Sequence, residues 1–274
     1  MTLLAVPNVS EGRDREAIDA IAQAFGGRLL DVHSDPDHNR SVYTLAGEPG
    51  VLAHAVLGGA REAIRWIDLN SHIGAHPRVG ALDVAPIVYL SEQDRGAACA
   101  EALVLADLLG AELELPVFLY GALADGRTRA ELRRGGPAAL AALKPDFGPN
   151  HMHPVAGATL VAARAPLVAF NVELAPHATA VQAREIAARI REGGPEGLPG
   201  VRAIGLWLEE RGVAQVSINV EDHRKVTLAQ VVDAVARHAD IAEAELVGLA
   251  PQAAFAGFPD QVPVRNKRTI EQAL

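Results

Sequence analysis

The chain has 274 residues, of which 49% are hydrophobic and 22% are charged, and its formal net charge is −9. This length and apolar content predict a globular protein with one large domain or two smaller ones. Because nucleic acids and anionic membranes need a basic protein surface, the acidic balance argues against both and leaves room only for a local basic pocket that holds a small anion.

The first half of the chain indicates a βαββαβ order of elements. Apolar residues recur at three- and four-residue steps over 10–27, which predicts a helix with Ser10 as its N-cap. Apolar runs bounded by turn residues predict the strands. The predicted elements are a strand at 2–9, the helix at 10–27, strands at 28–34 and 40–47, a helix at 48–67 and a strand at 82–90.

An insertion follows this half. It is predicted to begin with a helix at 91–110, with Ser91 as N-cap and Gly110 as its stop, and to continue with a strand at 115–121 and a broken helix at 128–144. Residues 145–159 hold prolines, glycines and two histidines without periodicity. Long loops of this kind are often functional.

The βαββαβ order recurs in the second half. The predicted elements are a strand at 166–174, a helix at 177–194, a β-hairpin at 200–222, a helix at 227–240 and a strand at 242–251. This order is typical of the ferredoxin-like unit. The sequence therefore predicts an α+β protein of two ferredoxin-like subdomains in tandem, at 1–165 and 166–274, with antiparallel or mixed sheets, helices on one face and an insertion in the N-terminal half.

The N-terminal segment and the single cysteine bear on the cellular location and on disulfide formation. Residues 1–16 lack the basic start of a signal peptide and no run of 18 apolar residues occurs, so we expect a cytoplasmic protein without a membrane segment. Cys99 is the only cysteine, so no disulfide forms within the chain. Its apolar surroundings favour a buried thiol over a nucleophile.

The segment "SHIGAHPRVGALD" at 71–83 is the strongest candidate for chemistry. His72 and His76 have the spacing of two zinc ligands on one helical face. Gly74 and Pro77 disfavour that helix, and no HExxH motif is present, so no metal is expected. Nucleotide-binding glycine motifs and the GxSxG elbow of a serine hydrolase are also missing.

General acid–base catalysis is the remaining chemical interpretation of this segment. His76 titrates near neutral pH, and Asp83 could orient it or accept its proton. Arg40 and Arg78 could bind carboxylates. The residues alone leave an alternative open, in which His72 and His76 only form hydrogen bonds with loop carbonyls.

Six blocks of the sequence together carry a family resemblance. They are VPNVSEG (6–12), DPDHNRSVYTLAG (35–47), HIGAHPRVGALDVAP (72–86), PDFGPNHMHPVAGAT (145–159), LVAFNVEL (167–174) and VAQVSINVED (213–222). In this order they resemble the formiminotransferase family, as its transferase part without the cyclodeaminase domain of animal members. The resemblance implies transfer of the formimino group from N-formimidoylglutamate to N5 of tetrahydrofolate, in histidine degradation and one-carbon metabolism.

The resemblance also implies site residues and partners. It makes His76 the catalytic acid/base, tetrahydrofolate a co-substrate without a metal, and the protein a homodimer with small-molecule substrates. Asn39, His72 and Asp83 are further binding candidates, and Arg40, Arg78 and Lys144 are candidates from their charge and position alone. The implied folate loop comprises Gly148, Pro149, Asn150, His151, Met152, His153, Pro154, Val155, Ala156 and Gly157.

Two positions depart from the family pattern. Ala75 stands where relatives commonly have Glu, and Ile73 stands where they often have a basic residue. The loss of a carboxylate beside His76 motivates two alternatives. One is a related transferase with a different donor, such as formylglutamate, and the other is a non-catalytic folate-binding protein.

Overall fold

A computed structural model describes residues 1–274, and the chain divides into two compact units, Met1–Ala165 and Pro166–Leu274. Each unit contains one β-sheet with packed helices, so the chain has an α+β fold. No helix combines the length and the apolar character needed to cross a lipid bilayer.

Unit 1 is built on a mixed sheet. Its elements are β1 (Leu3–Ala5), β2 (Asn8–Val9), α1 (Arg15–Phe25), β3 (Arg28–Asp35), β4 (Arg40–Gly47), α2 (Leu52–Trp66), β5 (Leu82–Tyr89), α3 (Arg95–Leu113), β6 (Val117–Leu119), α4 (Arg129–Arg133), α5 (Gly136–Ala141) and β7 (Thr159–Arg164). β1 and β2 lie between β4 and β5 and pair with both in antiparallel orientation. β3 extends the sheet beyond β4, while β7 and then β6 extend it in parallel beyond β5.

The predicted cap of the first helix is wrong. α1 begins after Asp14, whose carboxylate accepts from the backbone N–H groups of Glu16 and Ala17. Ser10 instead donates its hydroxyl to the carbonyl of Gly80, at 2.8 Å. The side chain predicted to cap a helix therefore fastens the start of the chain to the loop that precedes β5.

The insertion also differs from its prediction in two places. α3 continues past Gly110 to Leu113 and ends at Glu114, which has a positive φ of 52°. Gly110 is needed for packing, because a Cβ there would lie 2.7 Å from the backbone nitrogen of Gly148. β7 was not predicted. Cys99 is partly buried against the core on α3 and is a free thiol.

Helices cover both faces of the unit 1 sheet. α1, α2 and α3 pack in one apolar cluster, which includes Ala85 of β5. Val84 and Leu160 belong to a second cluster together with Leu132 of α4 and Leu140 of α5. Because neighbouring strand residues point to opposite faces, α4 and α5 lie on the other side of the sheet, which departs from the prediction of helices on one face.

Unit 2 has a five-stranded sheet. Its elements are β8 (Val168–Leu174), α6 (Ala180–Ile190), β9 (Val201–Leu208), β10 (Val213–Val220), α7 (Leu228–Ala236), β11 (Ile241–Val247), β12 (Val264–Arg265) and α8 (Ile270–Ala273). The strand order is β12-β11-β8-β10-β9, and only the β11–β12 pair is parallel. α6 and α7 begin at capping boxes on Thr179 and Thr227, and Phe170 and Val172 of β8 pack into the apolar core of the unit.

Candidate active site

Asp83 is the buried centre of the candidate site. It is 0% exposed and lies on β5, where its Oδ2 accepts from Arg40 at 2.6 Å and from Arg133 at 2.5 Å. Its Oδ1 accepts from the backbone N–H of Val79 at 2.6 Å. Burial opposes ionisation of Asp83, but the two guanidinium groups together hold its pKa well below the usual range. The cluster of Asp83, Arg40 and Arg133 therefore carries two positive charges and one negative charge.

Arg40 is held in this position by the N-terminal segment. It is the first residue of β4, and its Nε donates to Asn8 Oδ1 at 3.1 Å. Gly12 passes so close that a Cβ there would lie 2.5 Å from the Arg40 backbone nitrogen. Residues 6–12 therefore contribute to the site by holding Arg40 in place, through the side chain of Asn8 and the close approach of Gly12.

The turn between β3 and β4 supports the histidine-bearing segment 72–78. Asn39, with φ at 47°, donates from Nδ2 to the carbonyl of Ile73 at 2.9 Å and accepts from Gly12 N–H through Oδ1 at 2.9 Å. His72 donates from Nε2 to the carbonyl of Asn39 at 3.2 Å. A Cβ on Gly74 would lie 2.5 Å from the His38 carbonyl oxygen, so only glycine allows this approach.

The protonation state of His76 follows from its surroundings. Its Nδ1 lies 2.7 Å from the carbonyl oxygen of Pro77. Since a carbonyl can only accept, Nδ1 carries the proton and Nε2 keeps its lone pair. Burial, and then the positive charges of Arg40 and Arg133, hold the pKa of His76 well below its ordinary value, against the opposing effect of Asp83. His76 is therefore a neutral base at pH 7.

The 148–157 loop is joined through backbone contacts to residues 79–81, which directly follow the histidine-bearing segment. Gly80 and Gly157 form an isolated antiparallel bridge, and a Cβ on Gly80 would lie 1.8 Å from the Ala158 carbonyl oxygen. Within the loop, His153 Nδ1 accepts from the N–H of Ala156 at 3.0 Å. Burial lowers the pKa of His153, which favours the neutral ring that this bond requires.

The histidine-bearing segment, the loop and α5 enclose a cavity of about 570 Å³. Two arginines, Arg78 and Arg133, line it, and no Asp or Glu does. Such a cavity suits an anionic ligand with an apolar body. The lining residues are Leu69, Asn70, Pro77, Arg78, Val79, Arg133, Gly136, Pro137, Met152, His153, Pro154, Val155 and Gly157.

Comparison with known families covers nearly the whole chain. The model described as "Formiminotransferase domain, N-terminal subdomain" matches residues 2–164, and the one described as "Formiminotransferase domain" matches residues 169–265. The chain belongs to the formiminotransferase family.

Relatives of this family differ in length. The chain is 36% identical over 271 residues to a glutamate formimidoyltransferase of Streptococcus pyogenes serotype M1, covering 91% of this chain and 89% of the relative. It is 35% identical over 270 residues to a protein of the same name from Thermoplasma acidophilum, covering 91% of this chain and 88% of the relative. It is 41% identical over 271 residues to the formimidoyltransferase-cyclodeaminase of Rattus norvegicus, covering 90% of this chain and 49% of the relative. The chain thus spans about half the length of the animal relatives.

The structure divides the candidate site residues into two groups. Arg78 and much of the loop line the cavity. Asn39, Arg40, His72, His76 and Asp83 are not part of its wall. The loop residues in the wall are Met152, His153, Pro154, Val155 and Gly157.

Several predicted residues have other surroundings than expected. Asp83 does not orient His76, whose Nδ1 is bound to the Pro77 carbonyl instead. Arg40 is occupied by Asp83 and Asn8. Lys144 is exposed and does not line the cavity.

The remaining loop residues are not in the wall either. Gly148 packs against the Leu115 carbonyl, with φ at 79°. His151 is exposed. The other three are Pro149, Asn150 and Ala156.

Arg133 is the site residue that sequence reasoning missed. It ends the short helix α4, which a capping box of Thr128 and Glu131 starts. From there it reaches both Asp83 and the cavity wall. No three His, Cys, Asp or Glu side chains cluster as a metal site needs, and the expectation of a metal-free enzyme stays a prediction.

Proposed function

We propose that the chain is a glutamate formimidoyltransferase, which moves the formimino group of N-formimidoylglutamate to N5 of tetrahydrofolate. The observation that carries the proposal is the match to the Streptococcus pyogenes relative of that name, which extends over 89% of the relative's length. Tetrahydrofolate is a co-substrate in this reaction. The cavity with two arginines in its wall supports the proposal, because both substrates carry carboxylates.

His76 would act first as base and then as acid. N5 of tetrahydrofolate attacks the amidine carbon of the donor, and its proton passes to the free Nε2 of His76. The tetrahedral adduct then breaks its bond to the glutamate nitrogen, which takes the proton back from Nε2. Glutamate leaves as an amine, 5-formimidoyltetrahydrofolate remains, and His76 returns to its neutral state. The low pKa of His76 keeps the imidazole neutral before the attack and makes its protonated form a stronger proton donor afterwards.

Arg78 and Arg133 would bind substrate carboxylates in the cavity. Arg78 donates from Nη2 to the His72 carbonyl at 2.5 Å, which holds its side chain in place. Arg133 is held by Asp83 in the same way. Holding two substrates in register contributes up to about 7–11 kcal/mol to lowering the barrier of a bimolecular reaction. We therefore expect these arginines to serve alignment, while Arg40 supports Asp83.

We further propose that the two units are the N- and C-terminal formiminotransferase subdomains, at 1–165 and 166–274, and that each has a ferredoxin-like core. In unit 2 the strands β11-β8-β10-β9 have the antiparallel order 4-1-3-2 when the four βαββαβ strands are numbered along the chain. In unit 1 the order β3-β4-β1/β2-β5 corresponds to 2-3-1-4, the same arrangement in reverse. The parallel strands β7 and β6 belong to the insertion.

The 148–157 loop is our proposed folate-binding loop, and Met152 to Val155 in the cavity wall support this role. The homodimer and the cytoplasmic location stay predictions. Light scattering of the purified protein tests the homodimer.

A different donor is the second candidate. Ala75 is exposed, and its N–H donates to the Asp37 carbonyl at 3.0 Å, so no carboxylate accompanies His76 at this position. Supplying formimidoylglutamate and formylglutamate together to the enzyme decides between them. A larger kcat/KM for formylglutamate would replace the first proposal.

The transferase assay tests the main proposal. Purified protein, tetrahydrofolate and formimidoylglutamate should yield 5-formimidoyltetrahydrofolate, and His76→Ala should lower kcat by about 10²–10⁴-fold. His54→Ala is the control, because His54 is an exposed histidine on α2. Absence of product from the wild type would refute the activity. Near-normal turnover by His76→Ala would refute the mechanism alone.

A further inference from the structure

The turn between β3 and β4 brings a second histidine to the catalytic one. His38 is 7% exposed, and its backbone N–H donates to Asp35 Oδ1 at 2.8 Å. Its ring centroid lies 5.9 Å from that of His76, with an angle of 35° between the ring planes. This separation is within the range of packed aromatic pairs. His38 therefore provides a buried ring, on a backbone held by Asp35, beside the ring of His76.

The backbone fixes the distance between these two rings. Ala75, directly before His76, donates its N–H to the carbonyl of Asp37, directly before His38, at 3.0 Å. Asn39, directly after His38, binds the carbonyl of Ile73. The two rings are thus carried by segments that are hydrogen-bonded on both sides of the contact.

We propose that His38 is a positioning residue for His76, whose ring holds the His76 imidazole in the orientation in which Nδ1 donates to the Pro77 carbonyl and Nε2 stays free. The hydrogen bond to Pro77 restrains one edge of the His76 ring, and the contact with His38 restrains its rotation about that edge. The kinetic part of this proposal rests on the proposed transferase function. The structural part does not.

His38 also contributes to the electrostatic surroundings of His76. The charged and titratable groups that act on His76 are Arg40, Arg133 and His38, which oppose its protonation, and Asp83, which favours it.

Two variants separate positioning from general disruption. His38→Ala removes the ring, and His38→Phe keeps a planar ring without a titratable group. The ¹⁵N signals of the His76 side chain report its tautomer without any turnover. We expect the Nδ1–H tautomer in wild type and His38→Phe, and a tautomer mixture in His38→Ala. His54→Ala should change none of these signals.

Steady-state kinetics give the second readout. We expect His38→Ala to lower kcat about tenfold or more with KM unchanged, because a misplaced catalytic group loses alignment rather than binding. His38→Phe should recover most of that loss. Recovery of both the tautomer and kcat by His38→Phe supports the proposal, and the absence of either recovery overturns it. If the wild type shows no transfer, the proposed function fails while the NMR result still decides the role of His38.

Discussion

Replacement of Asp83 by asparagine is the most demanding test of the candidate site. Asp83→Asn keeps the shape of the side chain and an oxygen that can accept from Val79 N–H. It removes the negative charge between Arg40 and Arg133, whose side chains are 10% and 19% exposed. Both guanidinium groups then lose their partner in a place where water cannot fully replace it.

The expected loss of stability follows from these contacts. Two hydrogen bonds between charged groups contribute about 1.5–3 kcal/mol each, which gives about 3–6 kcal/mol for the pair. Removing one partner of a buried ion pair costs about 3–5 kcal/mol, which agrees with that sum. Because the folded-state pKa of Asp83 lies below its unfolded value, its contribution is complete above about pH 5 and is lost only as the pH falls toward the folded-state pKa.

Urea unfolding followed by Trp66 fluorescence measures this loss at pH 7. Trp66 ends α2 in unit 1, and a Trp207→Phe background removes the second tryptophan, which lies in unit 2. The control is Glu112→Gln, which breaks an exposed ion pair with Arg61 and should cost about 0–1 kcal/mol. If Asp83→Asn lowers the free energy of unfolding by less than about 1 kcal/mol at an unchanged m-value, the ion pairs of Asp83 with Arg40 and Arg133 do not stabilise the site.

Three further predictions concern the site and the helices. The acid limb of the kcat/KM profile should have its midpoint below pH 6.5, because burial and two neighbouring arginines lower the pKa of His76; a midpoint above pH 6.5 would contradict this cause. Gly80→Ala should destabilise the protein by at least about 1–3 kcal/mol in urea unfolding, since its Cβ would lie 1.8 Å from the Ala158 oxygen. Gly96→Ala, at the exposed second residue of α3, should instead change the stability by no more than about 0.5 kcal/mol, and equal effects of the two variants would refute the steric reasoning. Thr179→Ala should cost about 1 kcal/mol through loss of the α6 capping box, and Thr179→Ser should restore most of it.

Local patterns predicted the elements whose residues alternate or repeat clearly. β4 was predicted over its observed range, and β3, β5, β9 and β10 were predicted to within a few residues at their ends. β7 was missed, because its strand conformation depends on parallel pairing with β5 and β6, which are distant in sequence. Helix starts were less accurate, since Ser10 and Asp14 are both good caps and only the packing around Gly80 selects between them.

The candidate site was predictable where a residue type carries the chemistry by itself. His76 stood out through its motif, and Arg78 through its charge in a glycine-rich segment. Arg133 did not, because nothing in "TRAELRRGG" distinguishes it from Arg129 or Arg134. Its role depends on the direction in which α4 ends and on Asp83, which lies 50 residues earlier in the sequence.

The contact between Gly80 and Gly157 has a consequence for redesign of the cavity. Both glycines approach a carbonyl oxygen too closely for any side chain, so this joint is made of backbone alone. The positions of the cavity residues along the chain are therefore set relative to this joint, with Val79 one residue before Gly80 and Val155 two residues before Gly157. Ligand preference is best altered by exchanging side chains from Met152 to Val155. Adding or deleting a residue next to either glycine would instead turn the following side chains to the wrong face.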